Sequence, residues 1–408
     1  MRRVALCAAL AAALMPSSVG AQTLVLTESD ALARLSTGSP RVRAIRAGIE
    51  IARVDVLAAD RWPNPRLTFD RESVAGTTEY ITTLAQPLPI TGRRGFEVRA
   101  ASALVSASSS RADDDVRRLR ADVRLAFAEL VASQAREREL AAARDRLAEL
   151  ADILARRERA GDAAGFDRLR AAREVLDVET DLVVASTERA RAQAYLASFF
   201  DDVPDPARVV AVSGPAPAVD VPPVEALLEI AETARGELVA LRHDIDAAAF
   251  AARAADRRLV PEPEIVAGTK SSTTMGGDLG SVIAVYATLP LFDRARPERA
   301  LAAAQATQAE ARVASFRAVL RGQAAALREI VILRRAATTR YRVEAVNRAS
   351  QIERIAQVSY DAGERGILEL LDAYRIGASA RVRQVTLELA VRQAEIELEF
   401  ATGWEIPL

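Results

Sequence analysis

Four landmarks of this sequence recur in the same order at nearly one spacing, and that duplication limits the possible fold more than any other feature. Arg43-Ala44-Ile45-Arg46, running on to Asp60-Arg61, is answered by Val239-Ala240-Leu241-Arg242, running on to Asp256-Arg257. Pro63-Asn64-Pro65 is answered by Pro261-Glu262-Pro263, and Leu88-Pro89-Ile90 by Leu289-Pro290-Leu291. Ala160-Gly161-Asp162 is answered by Ala362-Gly363-Glu364. The differences in residue number are 196, 198, 201 and 202. The chain therefore reads as two copies of one unit, 22–200 and 223–408, joined by a Pro-, Val- and Ala-rich linker over 201–222.

Each copy follows one internal plan. A helical stretch (28–61, then 223–258) stops at a proline pair, because a residue before proline is pushed out of the helical region. Two short runs of strand character follow around a loop of Gly, Ser and Thr, giving expected hairpins at 66–90 and 264–291. Leu67 and Phe69 alternate with Arg66, Thr68 and Asp70, and Ile283, Val285, Ala287 and Leu289 fall on one face, the period-two signature of a strand. The runs approach the 9–11 residues that a tilted strand needs to cross a membrane. Next comes a long helical rod (97–159, then 298–360), which no proline interrupts. At 1.5 Å per residue such a rod is roughly 95 Å long. In the first rod Leu119, Ala126, Ser133, Leu140, Leu147 and Leu154 recur every seven residues, a coiled-coil stripe. The neighbouring stripe begins with Val123 and Leu130 and then meets Glu137 and Arg144. Each rod ends at a glycine-bearing turn, and a shorter helix returns over 167–200 and 367–400, so the expected coiled coils cover 97–200 and 298–400.

Composition narrows the chemistry. Lys and Arg total 55 against 56 Asp and Glu, which leaves no positive excess for nucleic acid. The only cysteine is Cys7 and the only histidine His243, too little material for a structural zinc site or a Ser-His or Cys-His pair. No cofactor, metal site or catalytic residue is expected, and a lone His243 on a helix reads as packed or solvated. Arg2-Arg3, the apolar stretch Val4 to Met15 and Val19-Gly20-Ala21 before Gln22 have the form of a secretory signal over 1–21. Export would leave a cysteine-free chain in the envelope.

Four membrane strands cannot stand alone, since unpaired backbone groups at a sheet edge cost several kcal/mol each in lipid. The smallest bacterial barrels have about eight strands. Copies of the chain must join, and the expected fold is mainly α with a small β part: a long-helix coiled-coil tunnel plus a transmembrane β-barrel completed by oligomerisation. Trp62, before the proline pair, reads equally as a ring at the membrane interface, where amphipathic rings collect, and as an ordinary packed residue.

The proline-pair strand entry, Gln86-Pro87-Leu88-Pro89-Ile90-Thr91-Gly92-Arg93-Arg94, Leu289-Pro290-Leu291-Phe292-Asp293-Arg294, and Ser359-Tyr360-Asp361-Ala362-Gly363 running into Ile367-Leu368-Glu369-Leu370-Leu371-Asp372-Ala373 resemble the TolC family of outer-membrane efflux channels. The resemblance spans the mature chain. It implies a homotrimer with a twelve-stranded barrel in outer-membrane lipid and a helical tunnel in the periplasm. It also implies docking to a periplasmic adaptor protein and, through it, to an inner-membrane RND-type pump. Pro63-Asn64-Pro65-Arg66-Leu67 and Leu291-Phe292-Asp293-Arg294 are most similar to the CzcC-type branch, associated with heavy-metal export. Ducts for drug efflux or type I protein secretion share such strings. A soluble periplasmic coiled-coil adaptor is the alternative of another class, and the two lipid-sized hairpins argue against it.

The same resemblance suggests site residues. Glu369 and Asp372, neighbours on one helix face, match acidic positions that narrow the periplasmic entrance. Tyr360 and Arg365 match positions that tie the entrance shut, with Asp167 as the facing carboxylate. Gly161, Gly165, Phe166, Gly363, Gly366 and Ile367 form the two tips and, by resemblance, the adaptor-docking surface. Phe166 departs from the smaller aliphatic residue common there.

Overall fold

The computed structural model describes residues 23–35, 38–161, 165–214, 219–274, 277–292 and 294–406. The expected signal segment 1–21, Asp162 and Asp293 lie outside the described residues. The first copy contains β1 (Leu24–Leu26), α1 (Glu28–Arg34), α2 (Pro40–Asp60), β2 (Arg66–Val74), β3 (Thr77–Pro87), α3 (Arg93–Ala160) and α4 (Gly165–Ala197). Then come β4 (Val209–Ala211), α5 (Val224–Ala234), α6 (Gly236–Arg257), β5 (Pro263–Ser272), β6 (Asp278–Ala287), α7 (Arg296–Tyr341), α8 (Asn347–Asp361) and α9 (Ile367–Thr402).

The rod expected over 97–159 is one helix of 68 residues, α3. Gly92 and Gly161 bound it, both with positive φ (75° and 83°). Glycine adopts this conformation without a Cβ clash, which is why the helix can stop so sharply. The second rod runs on from α7 into α8 through a five-residue π-turn, Arg342–Val346, with helical backbone on both sides. The stretches 28–61 and 223–258 each divide in two as well. Ser39 and Pro40 restart the first, since proline suits the opening turn of a helix. The second bends at Arg235-Gly236, where the chain passes so close to α3 that a Cβ on Gly236 would lie 2.1 Å from the Ser110 carbonyl.

α3 is the spine. It packs on α2, α4, α6 and α9, and α7 closes onto α6 and α9. The coiled-coil stripe is largely internal, with Leu119, Ala126, Ser133, Leu147 and Leu154 buried. Glu137, where the second stripe turns polar, bonds across to α4: Ser186 Oγ donates to it at 2.9 Å and Arg189 Nε lies 2.7 Å away. That polar residue is therefore an interhelical tie.

The segment expected as a linker over 201–222 contributes to the core. β4 pairs in parallel with β1, matching Leu24, Val25 and Leu26 with Val209, Val210 and Ala211. Leu26, Phe127, Leu130, Leu196, Phe199, Phe200 and Val209 form one buried cluster around this ribbon. Three strand residues leave no periodicity to detect. Below it, Arg124 of α3 reaches Glu28 and Glu399 (2.6 Å each), and Arg392 reaches Glu28 at 2.8 Å, fastening α1 to α3 and α9. Burial opposes the charge of Arg124, but bonds and attraction from Glu399 and Glu28 outweigh it and hold its pKa above the usual arginine value.

Candidate conduit: the membrane sheet and the tip

The four long strands form one antiparallel sheet in the order β2-β3-β5-β6, so the two hairpins of the two copies lie edge to edge. The register pairs Leu67 with Leu84, Leu84 with Ala267 and Ala267 with Ile283. Both hairpins extend beyond their sequence expectations at the loop end. β2 and β3 close on the two-residue turn Ala75-Gly76, both with positive φ (50° and 87°), the geometry that suits strand twist. The last strand ends at Ala287, so Leu289 to Phe292 lie beyond it.

Directly paired residues share a face, which lets both faces be read across the sheet. One carries Leu67, Phe69, Tyr80, Leu84, Ile265, Leu279, Ile283 and Val285, and its only charge is Arg71. The Arg71 guanidinium lies over the Tyr80 ring, 5.9 Å from its centre. The other face carries Arg66, Asp70, Glu72, Glu79, Glu264, Lys270 and Asp278. Two ion pairs cross strands there, Arg66 with Glu264 (3.1 Å) and Lys270 with Glu79 (2.6 Å). In water the apolar face would be a large exposed patch: Leu67 is 70 % exposed and Ile283 80 %. Against hydrocarbon it is matched. A sheet of 9- to 11-residue strands, apolar on one side and charged on the other, has the alternation of a membrane barrel wall with a wet interior. β2 and β6 are edges, and only further copies of the sheet can close them. Where strands give way to helices, Arg94 stacks over Trp62 at 5.7 Å and pairs with Asp60 at 2.6 Å.

At the far end of α3 the two hairpins of helices meet in a second core: Leu147, Leu150, Leu154, Ala171, Ala356, Ile367, Leu370 and Leu371. This core separates the tip residues by role. Ile367, expected on the docking surface, is buried within it, whereas Phe166 is 66 % exposed. Leu169 and Leu368, which sequence reasoning did not single out, are exposed beside it in sequence and on the second tip, respectively. Gly161 and Gly363 have positive φ, and a Cβ on Gly165 would lie 2.7 Å from Glu158 Oε1. Glu158 itself is bonded by Arg168, so the first tip folds tightly onto the end of α3.

Glu369 and Asp372 are exposed on the first two turns of α9. Asp372 carries its own counter-ion, Arg375, at 3.0 Å, three residues on along the helix. Tyr360 belongs partly to the tip core, and Arg157 of α3 donates to its hydroxyl (3.2 Å) and lies over its ring (5.4 Å). Among the described residues, neither Asp167 nor Arg365 has a side-chain ion pair within the protomer. Tyr374 donates to Gln357, and burial pushes its pKa up. His243 sits in α6, without a metal-ligating group among the described residues. Between α4 and α9 a groove of about 380 Å³ lies over α3, bordered by Val178, Asp181, Tyr374 and Val382. No helix among the described residues is long and apolar enough to cross a membrane.

Fold and sheet together define the architecture of an outer-membrane channel protein with a helical extension, whose four-stranded sheet needs further copies to close a barrel. Residues 227–404 match the family described as outer membrane efflux protein. The chain is 26 % identical over 377 residues to the cobalt-zinc-cadmium resistance protein CzcC of Cupriavidus metallidurans, covering 90 % of this chain and 86 % of that one. Solved structures share the fold at lower identity. The CusC channel aligns with a TM-score of 0.75 at 15 % identity, over 92 % of this chain and 91 % of CusC. The outer-membrane protein VceC of Vibrio cholerae aligns at 0.73 and 17 %, over 93 % and 97 %. The family match covers the second copy of the unit, which holds the tip motif from Ser359 to Ala373.

Proposed function

We propose that three copies of this chain form the exit duct of a tripartite exporter and that its cargo is heavy-metal cations. The duct is passive: it would receive cargo from an inner-membrane RND-type pump through a periplasmic adaptor and release it outside. The observation that carries the duct is the division of the membrane sheet into one apolar and one charged face. The CzcC relative supports the choice of cargo, and the acidic excess on the charged face suits cations. The exposed Phe166 and Leu169 on the first tip and Leu368 on the second supply an apolar docking surface for the adaptor around the tip glycines Gly161, Gly165, Gly363 and Gly366.

In the trimer Glu369 and Asp372 stand around the axis as the entrance neck. Arg375 offsets Asp372, which leaves Glu369 as the carboxylate without a partner on its own helix face. Arg365 and Asp167, without an ion pair among the described residues, would meet across neighbouring protomers as a charge-assisted lock, while Arg157 holds Tyr360. Arg365→Ser or Asp167→Ala should then raise single-channel conductance in planar bilayers, and unchanged conductance removes the lock. Growth of a deletion strain on cobalt, zinc, cadmium and a drug panel tests the cargo. Sensitivity to drugs alone would transfer the duct to drug efflux.

A further inference from the structure

Four charged side chains near the tip form a chain that runs from α3 out to α8 and α9 and back to α3. Arg146 of α3 donates to Glu353 of α8 at 3.3 Å. Glu353 accepts two bonds from Arg381 of α9, at 2.9 and 3.2 Å. Arg381 Nε lies 3.1 Å from Glu139, back on α3. Glu139 and Arg146 are seven residues apart, so both ends of the chain rise from one face of α3. The middle pair is well covered, with Glu353 11 % and Arg381 17 % exposed.

The helix surface around Glu353 is shaped to admit it. A Cβ on Gly377 would lie 1.5 Å from Glu353 Oε1, so only glycine lets the carboxylate lie flat on α9. The other contacts of α8 are small, with Ala349 and Ala356 its buried residues. Its large side chains Ile352, Ile355 and Val358 point away and are exposed. The α8–α9 hairpin is thus joined to α3 here by charge, and from Leu147 to the tip by the apolar core and the Arg157–Tyr360 contact.

We propose that Glu139, Arg146, Glu353 and Arg381 are positioning residues of the entrance, a clasp that holds the α8–α9 hairpin against α3 and so sets the distance of Glu369 and Asp372 from the axis. The inference rests on the proposed entrance at the tip and assigns its control to a second level, roughly two to three helical turns above the neck residues. The α3 half of the clasp can be removed without touching the Glu353–Arg381 pair that joins α8 to α9.

The test is single-channel conductance of the purified full-length trimer in planar bilayers. Glu139→Gln with Arg146→Gln should raise conductance at least twofold, while heat-resistant trimers persist. The charge-keeping pair Glu139→Asp with Arg146→Lys should stay near the wild-type value, which loss of packing alone would not produce. Gly377→Ala, which alters no charge but displaces Glu353, should also raise conductance. Wild-type conductance in the Gln double variant overturns the clasp, as does an equal rise in the charge-keeping variant. A wild-type protein that forms no pore would instead sink the proposed duct. Pores that respond to Asp167→Ala but not to the clasp variants would sink this inference alone.

Discussion

Arg235 shows how much one side chain can hold in a thin-walled molecule. It pairs with Asp114 of α3 at 3.1 Å, donates to the Ala401 carbonyl of α9 at 3.0 Å, and packs between the rings of Phe316 and Phe400. Asp114 also accepts from the Gly236 N–H at 3.1 Å. Arg235→Ala leaves a covered carboxylate without its cation, a loss of about 3–5 kcal/mol. Thermal melting of the detergent-solubilised protein should drop accordingly. Nothing in the local sequence around Arg235 announces this, because its partners lie 121 and 166 positions away. Tyr374 offers a pH readout. Its pKa is raised by burial, so the folded protein keeps the proton when an unfolded chain would lose it. Its contribution is therefore complete below about pH 10, the ordinary tyrosine value, and is lost as pH rises through the raised one. An alkaline absorbance titration should show a late-ionising tyrosine that Tyr374→Phe removes.

The elements divide by how locally they are specified. β2, β3, β5 and β6 were legible because alternation between lipid and lumen is written residue by residue. The register adds what the sequence withheld: which alternating set of one strand joins which set of the next. It predicts that Ile283→Lys, a charge set mid-strand on the apolar face, costs about 2–4 kcal/mol at the bilayer midplane. Heat-resistant trimers should be lost from the membrane fraction, whereas Ala284→Lys on the opposite face should be tolerated. The π-turn at Arg342–Val346 was not legible, since neither proline nor glycine marks it. It widens the hydrogen-bond ladder so that the Asn347 N–H reaches the Arg342 carbonyl. Amide exchange should be faster over 342–347 than at the same depth along α3.

At the scale of the whole molecule, the charged sheet face is what would line the lumen of the proposed duct. Asp70, Glu72 and Asp278 lie on it without salt bridges among the described residues, which gives that face an acidic excess for each copy to contribute. Neutralising Asp70 and Glu72 to Asn and Gln should shift the reversal potential in a salt gradient towards zero if the duct favours cations. Lys270, the only lysine in the sequence, sits on that face opposite Ile81. A membrane-impermeant amine reagent applied from outside should modify it and reduce conductance, and Lys270→Arg should abolish the effect. Modification in unassembled protein only would place Lys270 away from the lumen.

Proline pairs, glycine tips, sevenfold stripes and strand alternation are short-range patterns, and they settled which segments are rods, turns and membrane strands. Duplication added the expectation that both halves repeat one plan. What joins the halves depended on pairs far apart in the chain: β3 beside β5, β1 beside β4, Arg235 on Asp114, and the charge chain from Glu139 to Glu353. Ile367 illustrates the division most plainly. Its place after a tip glycine was readable, but whether it faced a partner or the core depended on four helices converging there, which periodicity within one helix cannot encode.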